Sequence, residues 1–199
     1  MSKNTKTSMK IVFATNNPNK LKEIQALMPK GIEIVSLKEV GCTEDIPETG
    51  TTLQANAFQK AQYLKDNYGY DCFADDTGLE VEHLDGAPGV YSARYAGPER
   101  CAEANMAKIL EELKGKENRK AQFRTAIALI LNGEEYLFEG KVEGQISKTI
   151  QGNQGFGYDP IFIPENDTRS FAQMSMSEKG TISHRGKAVR KLVGFLRSI

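Results

Sequence analysis

The stretch KIVFATNNPNKLKEIQALMPKG, residues 10–31, decides the fold class. Lys10 to Thr15 is a short apolar run bounded by turn formers, the pattern of a buried strand. Asn17-Pro18 has the chemistry of a helix start. Asn17 can cap the free N–H groups, and Pro18 sits at the first helical position, where a missing N–H costs nothing. Leu21, Ile24, Leu27 and Met28 then recur at helical spacing, and the stripe stops before Pro29-Lys30-Gly31. Ile32 to Val35 reads as a second short strand.

The alternation continues outward. Lys38 to Gly50 is irregular. Thr52 to Tyr68 reads as a helix with Leu53, Ala57, Ala61 and Leu64 on one face. Asp71 to Ala74 and Leu79 to Val81 read as two short strands, and Arg100 to Leu113 as a helix with Met106, Ile109, Leu110 and Leu113 inward. Gln122 to Leu131 and Glu135 to Val142 are joined by Asn132-Gly133, a strong hairpin signal. Ile161 to Ile163 is a short strand ended by Pro164. A last helix spans Arg185 to Arg197, with Val189, Leu192, Val193 and Leu196 inward. Helices alternating with strands early and a hairpin late give an α/β fold with a mixed sheet.

Bulk properties narrow the function. The 199 residues suit one unit with a sizeable core, and Lys+Arg and Asp+Glu balance at 26 each. No basic excess points to duplex nucleic acid. Cys42, Cys72 and Cys101 are odd in number and far apart, which argues against a disulfide framework or zinc site and for a reducing compartment. No run approaches a membrane span, and residues 1–8 lack the apolar region of a signal peptide. We read residues 1–8 as a loose tail, 9–199 as a single domain, and the location as cytoplasmic.

Five segments carry more polar chemistry than a fold requires. Thr15-Asn16-Asn17-Pro18-Asn19-Lys20 lies where a strand turns into a helix, a place suited to phosphate. The alternative is a capped helix with a solvated lysine. Asp75-Asp76-Thr77-Gly78 follows an apolar run. Adjacent carboxylates repel and are often held by a divalent cation, although an acidic turn would look the same. Glu48-Thr49-Gly50 precedes Asn56 and Lys60, which share a helix face. Lys60 either meets an anion there or snorkels to solvent. Gly152 to Pro160 (GNQGFGYDP) has three glycines, letting backbone approach a ligand, with Phe156 free to stack on a base or pack in a core. Ser183-His184-Arg185-Gly186 opens the last helix. Its donors match a purine carbonyl edge, or else are two solvated cations.

Together these segments resemble the Ham1 family, the inosine triphosphate pyrophosphatases. ATNNPNK at 14–20, ETG at 48–50, NAFQKA at 56–61 and ADDTGLEV at 74–81 carry the likeness. GAPGVYSARYAG at 86–97, GFGYDPIF at 155–162 and SHRGKA at 183–188 complete it, in family order over nearly the whole chain. Asn16 stands where the family often has Gly. The resemblance implies an elongated mixed α/β sheet with flanking helices, two lobes around a central cleft, and a homodimer. It implies hydrolysis of ITP, dITP or XTP to the monophosphate and pyrophosphate with Mg²⁺. Thr15, Asn16, Asn17, Pro18, Asn19 and Lys20 would cradle the triphosphate, with Lys60 and Thr77 nearby. Glu48 and Asp76 would hold Mg²⁺ with Asp75 in support, and Asp76 would be the general base. Phe156, Gly157, Tyr158, Asp159, Lys179, His184 and Arg185 would hold the base. A Maf-like pyrophosphatase of modified pyrimidine nucleotides is disfavoured by the SHR and FGYDP segments. A non-catalytic nucleotide sensor would not require both Glu48 and Asp76.

Overall fold

The computed structural model describes residues 9–199; the expectation for residues 1–8 lies outside the described residues. Six strands form one sheet in the order β2-β1-β3-β4-β5-β6. β1 (Met9–Phe13) runs parallel to β2 (Ile32–Ser36) and to β3 (Cys72–Val81). β4 (Lys120–Leu131), β5 (Glu134–Ile146) and β6 (Phe162–Pro164) continue antiparallel. The sheet is therefore mixed, as the sequence implies.

The predicted signals set most boundaries. In α1 (Pro18–Leu27), the Asn17 side chain accepts from the N–H groups of Asn19 and Lys20. In α2 (Leu53–Tyr68), Thr52 caps Ala55 and Gly69 ends the helix in the left-handed region at φ 75°. Asn132 and Gly133, at φ 53° and 84°, join β4 to β5 in the doubly left-handed turn that suits strand twist. α3 (Ala102–Glu112) and α5 (His184–Leu196) fall within a residue or two of expectation at most ends. α4 (Met176–Ile182) was not expected: seven residues are too few for an apolar stripe, though its Ser175/Glu178 capping box is visible in the sequence.

One expectation is overturned. Asp71–Ala74 and Leu79–Val81 are not two strands with an acidic turn between them. β3 runs unbroken through Asp75-Asp76-Thr77-Gly78 and pairs with β4 at every position from Cys72 to Val81. Gly78 serves close approach rather than a turn, since a Cβ there would lie 2.7 Å from the Gly89 carbonyl oxygen.

Alternation along β3 assigns the core. Cys72 and Ala74 face α2 with Leu53, Ala57, Ala61 and Leu64. Phe73 faces α1 and α5 with Phe13, Ile24, Val189 and Leu192. Beyond Gly78, Leu79 and Val81 enter a third cluster with Phe123, Phe162, the α3 residues Met106 and Ile109, and Leu113 just after them. The polar residues 75–77 lie where the strand passes between clusters.

Candidate active site

A cleft of about 480 Å³ opens at this passage. The 15–20 segment, Glu48, Lys60, Asp76, Thr77, Phe156 to Asp159, Lys179, His184 and Arg185 all line it. Residues up to 170 positions apart in sequence, such as Thr15 and Arg185, thus share one wall system. Asp75 is the exception: it is buried behind the wall.

The reason is strand alternation. Asp75 points to the α1 and α5 face. Lys20 donates to its Oδ1 at 3.0 Å, Arg185 Nε to its Oδ2 at 3.3 Å, and the Thr77 hydroxyl to Oδ2 at 3.2 Å. Burial works to raise its carboxyl, but the Lys20 and Arg185 charges outweigh that and hold it well below the usual carboxylate range. Asp75 therefore orders cations, and each of its oxygens accepts from at least one of them. Lys20 is not the solvated lysine of the alternative reading; burial pulls its ammonium below the ordinary lysine value, against the attraction of Asp75.

Asp76 points the other way, toward α2. Its Oδ1 accepts from the N–H of Thr77 at 2.9 Å and its Oδ2 from the Asn56 carboxamide at 3.0 Å. Burial raises its carboxyl above the usual range, Lys60 and Lys20 oppose the rise, and the Glu48 charge adds to it. Lys60 does not snorkel. It is buried on α2, pairs with Glu48, and donates to the Asp75 carbonyl at 2.7 Å.

At the other end, His184 and Arg185 are each 2% exposed, so neither is a solvated cation. His184 stacks on Phe123 with ring centroids 4.5 Å apart, and its Nδ1 is buried without a hydrogen-bond partner among the described residues. Burial, with Arg185 and Lys179 beside it, holds its titration well below the ordinary histidine value, so the ring is neutral. Arg185 pairs with Glu23 and with Asp75, and donates to the Thr77 hydroxyl at 3.2 Å. Lys179 pairs with Glu23 at 2.5 Å and Asp159 at 2.6 Å and sits 5.0 Å above the Phe156 ring. The Arg185 guanidinium lies 5.5 Å from the same ring. Asp159 also accepts from the N–H of Phe156 at 2.8 Å, which folds the glycine-rich loop onto the cleft. Tyr158 lines the cleft, but its hydroxyl donates to the Ser92 carbonyl at 2.6 Å and ties this loop to the 89–94 segment.

Sequence reasoning did not single out Glu23 or Phe123. Glu23 is three residues after Lys20 on the same helix face, which is a visible signal, but its partners are more than 150 residues away. Arg100, just before α3, and Asn105, in its first turns, also line the cleft, although the sequence of this segment shows only an apolar helix face.

Known proteins resemble this chain over almost its whole length. The model of the Ham1 family matches residues 11–195. The chain is 57% identical to a dITP/XTP pyrophosphatase of Flavobacterium psychrophilum over 96% of this chain and 100% of that protein. It is 56% identical to a dITP/XTP pyrophosphatase of Porphyromonas gingivalis, over 94% and 97%. The solved structure of a Ham1 protein from Coxiella burnetii superposes with a TM-score of 0.88 at 37% identity, covering 96% of this chain and 100% of that one.

Proposed function

This chain belongs to the Ham1 family, and from that premise we propose that it hydrolyses non-standard purine nucleoside triphosphates (ITP, dITP and XTP) to the monophosphate and pyrophosphate. One observation carries the reading. A single cleft holds the cations Lys20 and Lys60, the carboxylates Glu48 and Asp76, and a buried neutral His184 beside Arg185. We read these as a phosphate site, a hydrolytic centre and a base-reading site in one cleft.

The donor set suits Mg²⁺. Glu48 and Asp76 offer hard oxygens on the same cleft, and each Asp76 oxygen keeps a lone pair beyond its one hydrogen bond. Among the described residues no three metal-binding side chains cluster. Mg²⁺ is commonly held by one or two carboxylates, with waters and substrate phosphates completing its shell. We assign Glu48 and Asp76 to hold it, where it would neutralise charge on the triphosphate and the leaving pyrophosphate. Asp76 orients water and takes its proton. Lys20, Lys60, Thr77 and the 15–19 segment hold the phosphates.

The base end explains selectivity. ITP and XTP carry an acceptor oxygen at the purine six-position, and ATP carries an amino donor. Arg185 and the 157–158 backbone present donors, and ATP would leave them unpaired in a closed pocket, a mismatch that reaches roughly 10⁴-fold. Phe156 supplies a ring for stacking. We further assign residues 9–199 to one domain of two lobes, acting as a cytoplasmic homodimer. Three free cysteines suit that compartment, and no helix among the described residues is long and apolar enough to cross a membrane.

The test is a panel of ITP, dITP, XTP, GTP, ATP and modified pyrimidine triphosphates, with and without Mg²⁺, read as pyrophosphate against orthophosphate. Pyrophosphate from ITP and XTP with Mg²⁺ supports the reading. ATP turned over as fast as ITP, or orthophosphate as the first product, defeats it.

A further inference from the structure

Asn56 is a buried carboxamide, 1% exposed, on the α2 face that meets β3. A buried amide is costly unless both ends are satisfied, and here both are. Its Oδ1 accepts from the Gly50 N–H at 2.7 Å, and its Nδ2 donates to Asp76 Oδ2 at 3.0 Å. The orientation is forced. A backbone N–H can only donate, so the atom facing Gly50 is the oxygen, and the amino group must face Asp76.

Gly50 is two residues from Glu48. One side chain therefore ties the segment that carries one carboxylate to the other carboxylate. One helical turn later, Lys60 spans the same gap, pairing with Glu48 and donating to the Asp75 carbonyl. The two rungs differ in kind. Lys60 contributes a charge that phosphate also attracts, whereas Asn56 is neutral and does not line the cleft. Gly50 is also fitted to this contact. A Cβ there would lie 2.8 Å from Asn56 Oδ1 and 2.8 Å from the Ala55 Cβ, so any side chain would push the carboxamide away.

We propose that Asn56 is a positioning residue that sets the spacing and orientation of Glu48 and Asp76 as a divalent-cation site, with Gly50 as its required partner. This rests on the reading of Glu48 and Asp76 as the pair that holds Mg²⁺. It touches neither nucleotide nor ion; it acts through Asp76 and the 48–50 backbone. Loss of such an outer contact typically costs about 10–100-fold in metal affinity or activity.

The experiment compares Asn56→Leu, Gly50→Ala and the double variant with the parent, after thermal unfolding shows which are folded. Mn²⁺ affinity is measured by electron paramagnetic resonance without nucleotide. ITP turnover is measured across a Mg²⁺ titration. Each single variant should lose Mn²⁺ affinity by about 10–100-fold and lose kcat with it. KM for ITP at saturating Mg²⁺ should stay within about threefold, because the phosphate and base contacts are untouched. The double variant should be no worse than the worse single one, since both break one tie. A folded variant of either kind with parental Mn²⁺ affinity and kcat overturns the proposal, as does an additive double variant. If the parent binds Mn²⁺ and both variants lose it while no nucleotide is hydrolysed, the positioning role stands and the substrate reading falls. A parent that binds no Mn²⁺ and hydrolyses ITP regardless of Mg²⁺ removes the metal site and the proposal together.

Discussion

Asp75 and Asp76 are neighbours in sequence and opposites in everything else. Asp75 meets Lys20 and Arg185 on the α1 and α5 side, with no exposure of its side chain. Asp76 meets a carboxamide, a backbone N–H and the repulsion of Glu48 on the α2 side. The cations hold one carboxyl below its ordinary range, and burial holds the other above it. One strand thus makes two environments from one dipeptide, because successive side chains leave opposite faces of a sheet. Structural anchoring and chemistry are divided between adjacent residues.

The largest effect should come from replacing each carboxylate by its isosteric amide. Asp76→Asn removes the base and a metal-binding charge, so ITP turnover should fall by about 10²–10⁴-fold or more. Nucleotide binding by calorimetry should survive in part, because Lys20, Phe156 and Arg185 remain. Its stability should change little, since relief of a buried charge offsets the donor lost on Asn56. Asp75→Asn should do the reverse in kind, leaving Lys20 and Arg185 buried before a neutral group. Breaking a buried pair costs about 3–5 kcal/mol, or roughly 6–20 °C in Tm for a chain of this size. Equal Tm losses in the two variants would erase the division between the faces.

Acidification should separate the faces too. Asp75 is held below its ordinary value, so its stabilisation is complete above the ordinary carboxylate range and is lost as pH falls through its folded value. Asp76 is held above its ordinary value, so the folded protein binds that proton more readily than the unfolded chain. Its charge costs stability at neutral pH, and the cost is relieved as pH falls through the folded value toward the ordinary one. Asp76→Asn should therefore flatten the pH dependence of stability in weak acid, and Asp75→Asn should flatten it only in strong acid. Denaturant unfolding followed from strong acid up to pH 7 measures both. The opposite assignment of the two variants would refute the environments described.

Lys20→Ala and Lys60→Ala should come next, each costing about 1.5–3 kcal/mol of transition-state stabilisation as a lost charge-assisted contact. Their stabilities should differ. Lys20→Ala leaves Asp75 with Arg185 as its one paired cation among the described residues, whereas Lys60→Ala leaves a part-exposed Glu48. Parental kinetics in both variants would remove the phosphate site as assigned, and equal Tm values would mean that Asp75 does not depend on Lys20.

Much of this is legible in the sequence. The helix caps at Asn17 and Thr52, the Asn132-Gly133 turn and the apolar stripes are local, so local residues announce them. The paired carboxylates were legible as a site and not as a division. The sequence leaves Gly78 open to an acidic turn, and only the approach of Gly89 shows why it interrupts nothing. His184 and Arg185 could as well have been solvated, because the groups that bury them, Phe123 and Glu23, lie far away in sequence. Burial of polar groups is a property of long-range packing, and a sequence carries it only through partners that must first be brought together.

The smallest effect is the sharpest test of how far the Asp75 network reaches. Thr125 on β4 pairs with Thr77 across the strands, and their hydroxyl oxygens are 2.7 Å apart. Thr77 has two further partners: Arg185 donates to its hydroxyl and Asp75 accepts from it, at 3.2 Å each. Thr125→Val keeps the shape and removes one hydroxyl, and Thr77 stays satisfied without it. The cost should be that of a single net hydrogen bond, about 0.5–1.5 kcal/mol. The backbone N–H of Thr77, which serves Asp76, is not involved. Urea unfolding should therefore register the loss, while the Mg²⁺ dependence and kcat for ITP should match the parent. A fall of tenfold or more in kcat would mean that the hydroxyl chain couples across the strand to Asp76, and the two faces would have to be treated as one network.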